Sequence, residues 1–364
     1  MLVTRRPGVA RAGGAGVALL LAACGPGEPQ APIVELSAPR DTLVAPFGDA
    51  AGAVSLDGRR WAVVSEGSGV VALVDFAARS LRPLGGPATR ELKNPFAVFR
   101  SQDSLWVADW GLRRLTVWGP DGRLARAVAA PEATRGVLPR ARDAAGRFYL
   151  ALPPPPRPDG SGNRDSGAVV RTAPDFSRID TVARLAPPDL AEVQGDAGRR
   201  FERRVFSGTD QWGVLPDGSV WVARVAQNRV DWRDPVSGRW TEGEALPDRV
   251  LEVTRADREL FVRSFPPELR RTAEQLPFAA IKPPFEAAFT AANGLVWLQK
   301  SRAAFDSTGR YQVVDRRGRL VREVRVPGFA RLLAATGETA FGVEADSAGL
   351  RLLEFSVRPL VASR

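Results

Sequence analysis

The chain has 364 residues, and 51 lysines and arginines against 41 aspartates and glutamates give it a formal charge of +10 at pH 7. It contains no histidine and a single cysteine, Cys24. These two facts exclude Ser-His-Asp and Cys-His catalysis, histidine-ligated zinc sites and disulfides within the chain. Any catalysis would have to use carboxylates, lysine, or an oxygen-ligated cation such as calcium.

The basic surplus does not indicate a nucleic-acid-binding protein. Residues 1–23 contain three arginines and no acidic residue, so the rest of the chain carries a surplus of +7. Almost all of these cations are arginines, and no run of basic residues alternates with aromatic ones, as a groove for single strands requires. We therefore predict no nucleic-acid partner.

The first residues have the pattern of an export signal. Arg5 and Arg6 precede a short apolar stretch, Val9–Leu21. That stretch is too short for a permanent membrane span, and its flanks are those of a cleavable signal. The sequence therefore predicts a signal peptide over residues 1–23.

The four residues Leu21-Ala22-Ala23-Cys24 resemble the lipobox of bacterial lipoproteins. This resemblance implies that Cys24 is acylated, begins the mature chain and anchors it in a membrane. Residues 24–32 are rich in proline and glycine, so we expect a flexible tether there. The expected location is the extracytoplasmic side of the cell envelope. Gly25 is not the Asp that retains some lipoproteins in the inner membrane, which favours the outer membrane.

One aromatic residue recurs after a glycine or polar turn and before a β-rich run. Its six copies are Trp61, Trp106, Tyr149, Trp221, Trp297 and Phe341. The intervals between them are 45, 43, 72, 76 and 44 residues. Three intervals agree on one period, and the other two exceed it as insertions would. Six units of four short strands at this period predict an all-β, six-bladed β-propeller.

The end of the sixth unit indicates how the ring closes. Leu350–Val357 is its third strand, and little chain remains for a fourth. Ile33–Leu36, near the N-terminus, is an apolar segment with no repeat of its own. We predict that this segment completes the last blade, because joining the two ends of the ring removes its open edge. The propeller is predicted to occupy residues 33–362.

Residues 107–118 read V-A-D-W-G-L-R-R-L-T-V-W and resemble the NHL repeat, whose pattern runs roughly V-A-D-x-x-N-x-R-I-x-V-F. Leu112 stands where the family has Asn. As an architecture, the chain also resembles the six-bladed, TolB-like propeller lipoproteins. The resemblance implies a scaffold and not an activity. Asp109 is predicted to be a turn residue that accepts backbone N–H bonds, with Arg114 packing or pairing nearby.

Three long insertions are predicted to lie on one face of the ring. In a four-stranded blade, the turn between the second and third strands and the connection to the next blade emerge on the same side. Pro153–Gly167, Pro187–Arg204 and Ala256–Pro284 all occupy such positions. Loops of this length in a compact fold are usually functional or disordered. This face is therefore the predicted ligand-binding face.

Two of the insertions have recognisable patterns. Residues 256–276 predict two short helices broken by prolines and forming a partial lid. The apolar residues expected to face the ring there are Leu260, Phe261, Leu269 and Leu276. The second insertion holds a basic cluster of Arg199, Arg200, Arg203 and Arg204. This cluster is either an anion-binding rim or a solvated helix face, and the helix face is favoured.

The candidate ligand-contacting residues on this face are Asp109, Trp110, Arg113, Arg224, Asn228, Lys282, Arg302 and Glu344. No catalytic residue, metal site or cofactor is predicted. The favoured function is a non-catalytic binding module for an envelope protein or a small ligand, held at the membrane through acylated Cys24.

Two other functions remain open. The alternative is a calcium-type, metal-dependent lactonase or hydrolase, since lactonases of the gluconolactonase type hold their ion with Glu, Asn and Asp in a propeller channel. Its oxygen ligands would come from Asp109, Asn228, Asn293 and Glu344. A rigid spacer in an envelope assembly is the third possibility.

Overall fold

The computed structural model describes residues 31–85, 90–154, 166–195, 198–347 and 349–357. Cys24, the predicted signal peptide, most of the predicted tether and the predicted boundary at residue 362 lie outside the described residues. Within them, no helix has both the length and the apolar character that a membrane crossing needs.

The first half of the chain forms three blades. Two strands precede them, β1 (Ile33–Glu35) and β2 (Asp41–Ala45). Blade 1 contains β3 (Gly52–Asp57), β4 (Arg60–Ser65), β5 (Val70–Asp75) and β6 (Ser80–Gly85). Blade 2 contains β7 (Pro95–Ser101), β8 (Ser104–Asp109), β9 (Arg114–Trp118) and β10 (Leu124–Ala129), and a 3₁₀ turn follows at Glu132–Thr134. Blade 3 contains β11 (Ala141–Arg142), β12 (Phe148–Leu152), β13 (Ala168–Thr172) and β14 (Ile179–Arg184).

The second half begins with a hairpin of β15 (Leu190–Gly195) and β16 (Gly198–Arg203). Blade 4 contains β17 (Gln211–Val214), β18 (Val220–Arg224), β19 (Arg229–Arg233) and β20 (Trp240–Thr241). A helical insertion then holds α1 (Arg255–Arg263), a 3₁₀ turn at Pro267–Leu269 and α2 (Arg270–Glu274). Blade 5 contains β21 (Phe285–Thr290), β22 (Val296–Lys300), β23 (Gly309–Val314) and β24 (Leu320–Val326). Blade 6 contains β25 (Arg331–Ala335), β26 (Thr339–Asp346) and β27 (Gly349–Ser356).

The protein is an all-β, six-bladed β-propeller, as predicted. The first strand of each blade is innermost and contacts the first strand of the next blade around the whole ring, so these six strands line the central channel. The second strand is covered by a neighbouring blade on each side. Such strands have no solvent face and read as continuous apolar runs, as Trp61–Val64 does in β4.

The repeated aromatic residue occupies the same place in every blade. All six copies lie on the second strand, and none is more than 3% exposed. Trp61 of blade 1 and Phe341 of blade 6 have ring centroids 5.5 Å apart, so this packing crosses the point where the ring closes. On the neighbouring first strand, Gly213 lies directly opposite Trp221. A Cβ there would lie 2.6 Å from the indole ring, so the residue has to be glycine.

The ring is closed by an N-terminal strand, as predicted, but the predicted segment was wrong. β1, which holds most of Ile33–Leu36, pairs in parallel with β24 and extends blade 5. β2 pairs with β27 and supplies the fourth strand of blade 6. Side-chain burial explains the choice, because Leu43 packs into the core shared by blades 6 and 1, whereas Ile33 is 52% exposed.

The helical insertion forms as predicted, although its inward face differs. Thr254 caps α1, since its hydroxyl accepts the N–H of Asp257 while the Asp257 carboxylate accepts the N–H of Thr254. Phe261 packs against two phenylalanines from the flanking chain, with ring-centroid distances of 5.9 Å to Phe206 and 5.6 Å to Phe278. The prediction that Leu260 and Leu269 face the ring was wrong. These two leucines are 38% and 49% exposed because aromatic rings fill the space under α1.

The predicted helix face for the arginine cluster was also wrong. Arg199, Arg200 and Arg203 lie on strand β16 of the hairpin, and Arg204 follows it. Their partners make the cluster largely self-neutralising: Arg199 pairs with Glu192, Arg200 with Glu202 and Arg204 with Asp189, while Arg203 donates to the carbonyl of Ser207. Three of the four arginines are thus offset by a neighbouring carboxylate.

The closing strand can be tested with two neighbouring residues. Leu43→Asp places a charge in the core between blades 6 and 1 and is expected to lower the free energy of unfolding by about 2–3 kcal/mol. Val44→Asp is the control, since this side chain is 70% exposed on the same strand. It should cost less than about 0.5 kcal/mol in urea unfolding. Equal effects of the two variants would show that β2 does not close the ring.

Candidate ligand-binding face

One face of the ring carries the turns between second and third strands and the connections between blades, and we call it the insertion face. Its described residues are 46–51, 66–69, 90–94, 110–113, 130–140, 153–154, 166–167, 185–195, 198–210, 225–228, 242–284, 301–308, 327–330 and 347. All eight candidate residues lie on this face or near the strand ends that meet it. They are spread around the ring. Asp109, Trp110 and Arg113 share one turn, where the N–H of Arg113 donates to the carbonyl of Trp110 at 3.2 Å, and Lys282 donates to the carbonyl of Arg302.

Asp109 holds two pieces of this face together. Its carboxylate accepts the backbone N–H groups of Lys93 at 2.6 Å, Asn94 at 3.1 Å and Leu112 at 2.9 Å. It is fully buried. The role is the turn-stabilising one expected from the sequence, and it leaves no carboxylate oxygen without a hydrogen bond.

Two carboxylates that the sequence did not reveal do similar work. Asp49 accepts the N–H groups of Glu66 at 3.1 Å and Gly67 at 3.2 Å. Asp210 accepts the N–H groups of Ala186 and Val225, each at 3.0 Å. The sequence could have indicated them only by their position, because each aspartate comes just before the first strand of a blade.

Three more candidates are engaged within the propeller. Arg224 donates to Asp210 at 2.9 Å and to Asp231 at 3.1 Å. Asn228 has the left-handed φ of 48°, and its Nδ2 donates to the carbonyl of Leu246 at 2.7 Å. Glu344 forms an ion pair with Arg351 and accepts the N–H of Phe329. These contacts stabilise turns and strand ends.

The structure does not assemble the oxygen ligands of a lactonase from the residues considered. Asn293 lies in the turn between β21 and β22, on the opposite face, where its Oδ1 accepts the N–H of Leu295. Asp109, Asn228 and Glu344 belong to blades 2, 4 and 6. Among the described residues, no group of three or more acidic side chains is placed to hold a metal ion.

Lys282 fastens the helical insertion to blade 5. Its Nζ donates to Asp257 at 2.6 Å and to the carbonyl of Arg302, and it lies 5.3 Å from the ring centroid of Phe206. Burial acts to raise the pKa of Asp257, but hydrogen bonds from Lys282 and Thr254 outweigh it and hold that pKa below the usual value. The insertion is therefore clamped by a buried ion pair.

Glu286 is a polar residue of the channel mouth that the sequence analysis missed. It is the second residue of the innermost strand β21, and Gln299 Nε2 lies 3.5 Å from its Oε2. Solvent reaches the Glu286 side chain, but the surrounding protein displaces part of its bulk water, and this desolvation raises its pKa. The positive charges of Arg302 and Lys282 act to lower the same pKa and do not outweigh the desolvation. One signal was available, since Glu286 interrupts the otherwise apolar run of β21.

Trp110 borders a cavity of about 560 Å³ on the insertion face. The cavity lies beside blade 2, between turns of blades 1 and 3, and its lining residues are Glu66, Asn94, Pro95, Phe96, Trp110, Val137, Leu138, Arg140 and Ala151. The Trp110 side chain is 58% exposed. The next residue, Gly111, packs against Asn94, where a Cβ would come within 2.4 Å of Asn94 Oδ1. This close approach fixes the turn that presents Trp110.

Arg113 lies on the far side of the same turn. It is exposed, has a left-handed φ of 50°, and places its guanidinium against Gly136. Gly136 has a φ of 77°, and a Cβ there would lie 2.5 Å from Arg113 Nη2. Trp110 and Arg113 are thus the two candidates whose side chains remain available at the surface.

Exposed apolar side chains are concentrated on the insertion face. The described residues include twelve large apolar side chains that are exposed, and seven of them lie on this face. These seven are Trp110, Val250, Leu260, Leu269, Ile281, Phe305 and Phe329. Four others lie on outer or edge strands, and Val236 is alone among the twelve on the opposite face. Four separate segments supply these seven side chains, so the excess of exposed apolar surface belongs to the face as a whole.

No protein-family model matches the sequence, and no curated protein matches it. Among solved structures, the chain is similar to regucalcin, a calcium-binding protein from Agrobacterium tumefaciens, at 10% identity over 90% of this chain and 98% of that one, with a TM-score of 0.45. It is also similar to virginiamycin B lyase from Staphylococcus aureus, at 10% identity over 87% of this chain and 98% of that one, with a TM-score of 0.45. Similarity at this level concerns the propeller fold and not an activity.

Glu286 is expected to make stability depend on pH. Because its pKa is raised in the folded protein, its contribution is most favourable below the ordinary value of 4.5 and is lost as the pH rises through the folded pKa. Glu286→Gln removes this loss. The melting temperature of the variant relative to wild type should therefore increase between about pH 4.5 and pH 8.

The control for this measurement is Glu268→Gln, which changes an exposed carboxylate on the helical insertion. Its melting temperature relative to wild type should stay level over the same range. A level profile for Glu286→Gln as well would mean that bulk water solvates the Glu286 carboxylate fully in the folded protein.

Proposed function

We propose that this protein is a non-catalytic binding module of the bacterial cell envelope, anchored in the outer membrane through acylated Cys24. The insertion face holds its ligand, which is an envelope protein or a small molecule. One observation carries the proposal: the exposed apolar side chains are concentrated on the insertion face, while Val236 is their sole described member on the opposite face.

Four charged groups of the insertion face are occupied by structural contacts, which supports binding over catalysis at those positions. The carboxylates of Asp49, Asp109 and Asp210 accept hydrogen bonds from backbone N–H groups. Lys282 forms a buried ion pair with Asp257. A general acid, base or nucleophile needs a side chain that can reach a substrate, and these side chains cannot without breaking the turns they hold.

The anchor is tested by one substitution. Cys24→Ser removes the sulfur that would carry the first acyl chain, so the protein should move from the membrane pellet to the soluble extracytoplasmic fraction. Fractionation and radioactive palmitate labelling of wild type and variant measure this. Ser68→Cys is the control, since it adds a second thiol on the insertion face and should change neither location nor labelling. Unchanged labelling of Cys24→Ser would refute the lipoprotein assignment.

The binding face is tested by cross-linking in cells. A photoreactive phenylalanine analogue is placed at Trp110, Phe305 or Phe329, which are 58%, 70% and 61% exposed on the insertion face. The matched control is Val236, which is 94% exposed on the opposite face. We expect discrete cross-linked products from insertion-face positions and none from position 236. Products from position 236 alone would show that the protein binds through the opposite face and would contradict the proposal.

A further inference from the structure

We infer that the cavity beside Trp110 binds a small organic monoanion with a flat apolar body. This inference rests on the proposed function, because it assigns a ligand class to the insertion face. The cavity of about 560 Å³ is within the range of small-molecule sites, about 300–1,000 Å³. Its walls combine the aromatic rings of Phe96 and Trp110 with the aliphatic side chains of Val137 and Leu138.

Arg140 supplies the charge that such an anion needs. Its guanidinium lies over the ring of Phe96, with its carbon 5.4 Å from the ring centroid. The side chain is exposed, and the described part of the chain provides it with neither a carboxylate partner nor a hydrogen-bond acceptor. A guanidinium stacked on an aromatic ring is held in place while its N–H groups stay free for a carboxylate, a sulfonate or a phosphate diester.

The turns and connections around the cavity carry a basic surplus: Arg90, Lys93, Arg113, Arg135 and Arg140 against Glu66, Glu91 and Glu132. Lys93, Arg113 and Arg135 lie on the same turns and connections, and none of them forms an ion pair with a described acidic residue. Asp109, next to Trp110 in the chain, is buried and bonded to three N–H groups. A surplus of positive charge around a concave apolar wall attracts anions and raises their local concentration.

Glu66 limits the ligand to one anionic group. It lines the cavity from the turn of blade 1, whereas Arg140 lies in the connection that enters blade 3, so blade 2 separates them. The Glu66 side chain is exposed and forms no ion pair with a described residue. A second negative charge on the ligand would approach this carboxylate, and like charges in a confined cavity repel each other.

The test uses two fluorescent naphthalene probes of nearly equal shape. 1-Anilinonaphthalene-8-sulfonate carries one negative charge, and N-phenyl-1-naphthylamine carries none. Mature wild-type protein should bind the sulfonate more tightly than the amine, with saturation at one site. Arg140→Gln should weaken the sulfonate by about fivefold and leave the amine unchanged, whereas Trp110→Ala should weaken both probes.

The matched control is Arg258→Gln. Arg258 also lies on the insertion face and places its guanidinium over an aromatic ring, 5.2 Å from the centroid of Phe278, but outside this cavity. It should alter the affinity of neither probe. Weakening of the sulfonate by Arg258→Gln instead of Arg140→Gln would move the anion site to the helical insertion and overturn the inference.

Competition tests the limit to a single charge. Naphthalene-1-sulfonate should displace the bound probe better than naphthalene-1,5-disulfonate, and Glu66→Gln should remove this preference. A disulfonate that competes as well as the monosulfonate in wild type would overturn the monoanion assignment.

The outcomes separate this inference from the proposed function. If Trp110→Ala weakens both probes but Arg140→Gln weakens neither, the cavity binds apolar ligands without charge selection; the inference then fails and the proposed function stands. If Trp110→Ala has no effect on either probe, the inference about this cavity fails. The cross-linking experiment then decides the proposed function independently.

Discussion

The fold depends on one packing interaction repeated around the ring: an aromatic side chain on the second strand of each blade, buried between neighbouring blades. None of the six copies is more than 3% exposed. The contact between Trp61 and Phe341 joins the first blade to the last, so the same interaction that stacks the blades also closes the ring. Burying a large aromatic side chain is worth several kcal/mol, and six such sites fix the spacing of every connection above them.

The connections on the insertion face are held by the polar groups that the stacked blades bring within reach. Asp49, Asp109 and Asp210 tie connections between blades to neighbouring turns. Lys282 and Asp257 tie the helical insertion to blade 5. Buried carboxylates and ammonium groups are costly unless they are paired in this way. These five charged side chains are therefore structural, whereas Trp110, Arg140, Glu66 and Glu286 remain exposed.

The repeat was readable from the sequence because the buried second strand tolerates only one pattern: a turn, an aromatic residue and an apolar run. The turn at Asp109 followed from the NHL-like residues of blade 2, and the alternation of strands within a blade placed the long insertions on one face. It did not identify the closing strand, because Ile33–Leu36 and Asp41–Ala45 are both short and apolar, and only packing of Leu43 between blades distinguishes them.

The candidate site was predictable in part. Trp110 was accessible to sequence reasoning because a large aromatic residue in a tight turn has no strand to bury it. Its cavity partners Phe96 and Arg140 were not, because they come from an inner strand and from a connection that meet Trp110 only after the blades stack. The roles of Arg224, Asn228 and Glu344 were likewise hidden, since each depends on a partner that is distant in sequence or belongs to a different connection.

We propose that this propeller binds through the exposed apolar and aromatic side chains of its insertion face, and that its buried carboxylates hold the fold and not a metal ion. Thermal unfolding of residues 25–364 with EDTA, and then with added Ca²⁺, Mg²⁺ or Mn²⁺, tests it most directly. A cation bound only by the folded state would raise stability by about 2.7 kcal/mol at a hundred times its dissociation constant. We expect the same melting temperature under all these conditions. A saturable rise of the melting temperature with one cation would contradict this proposal and would favour the metal-dependent hydrolase instead.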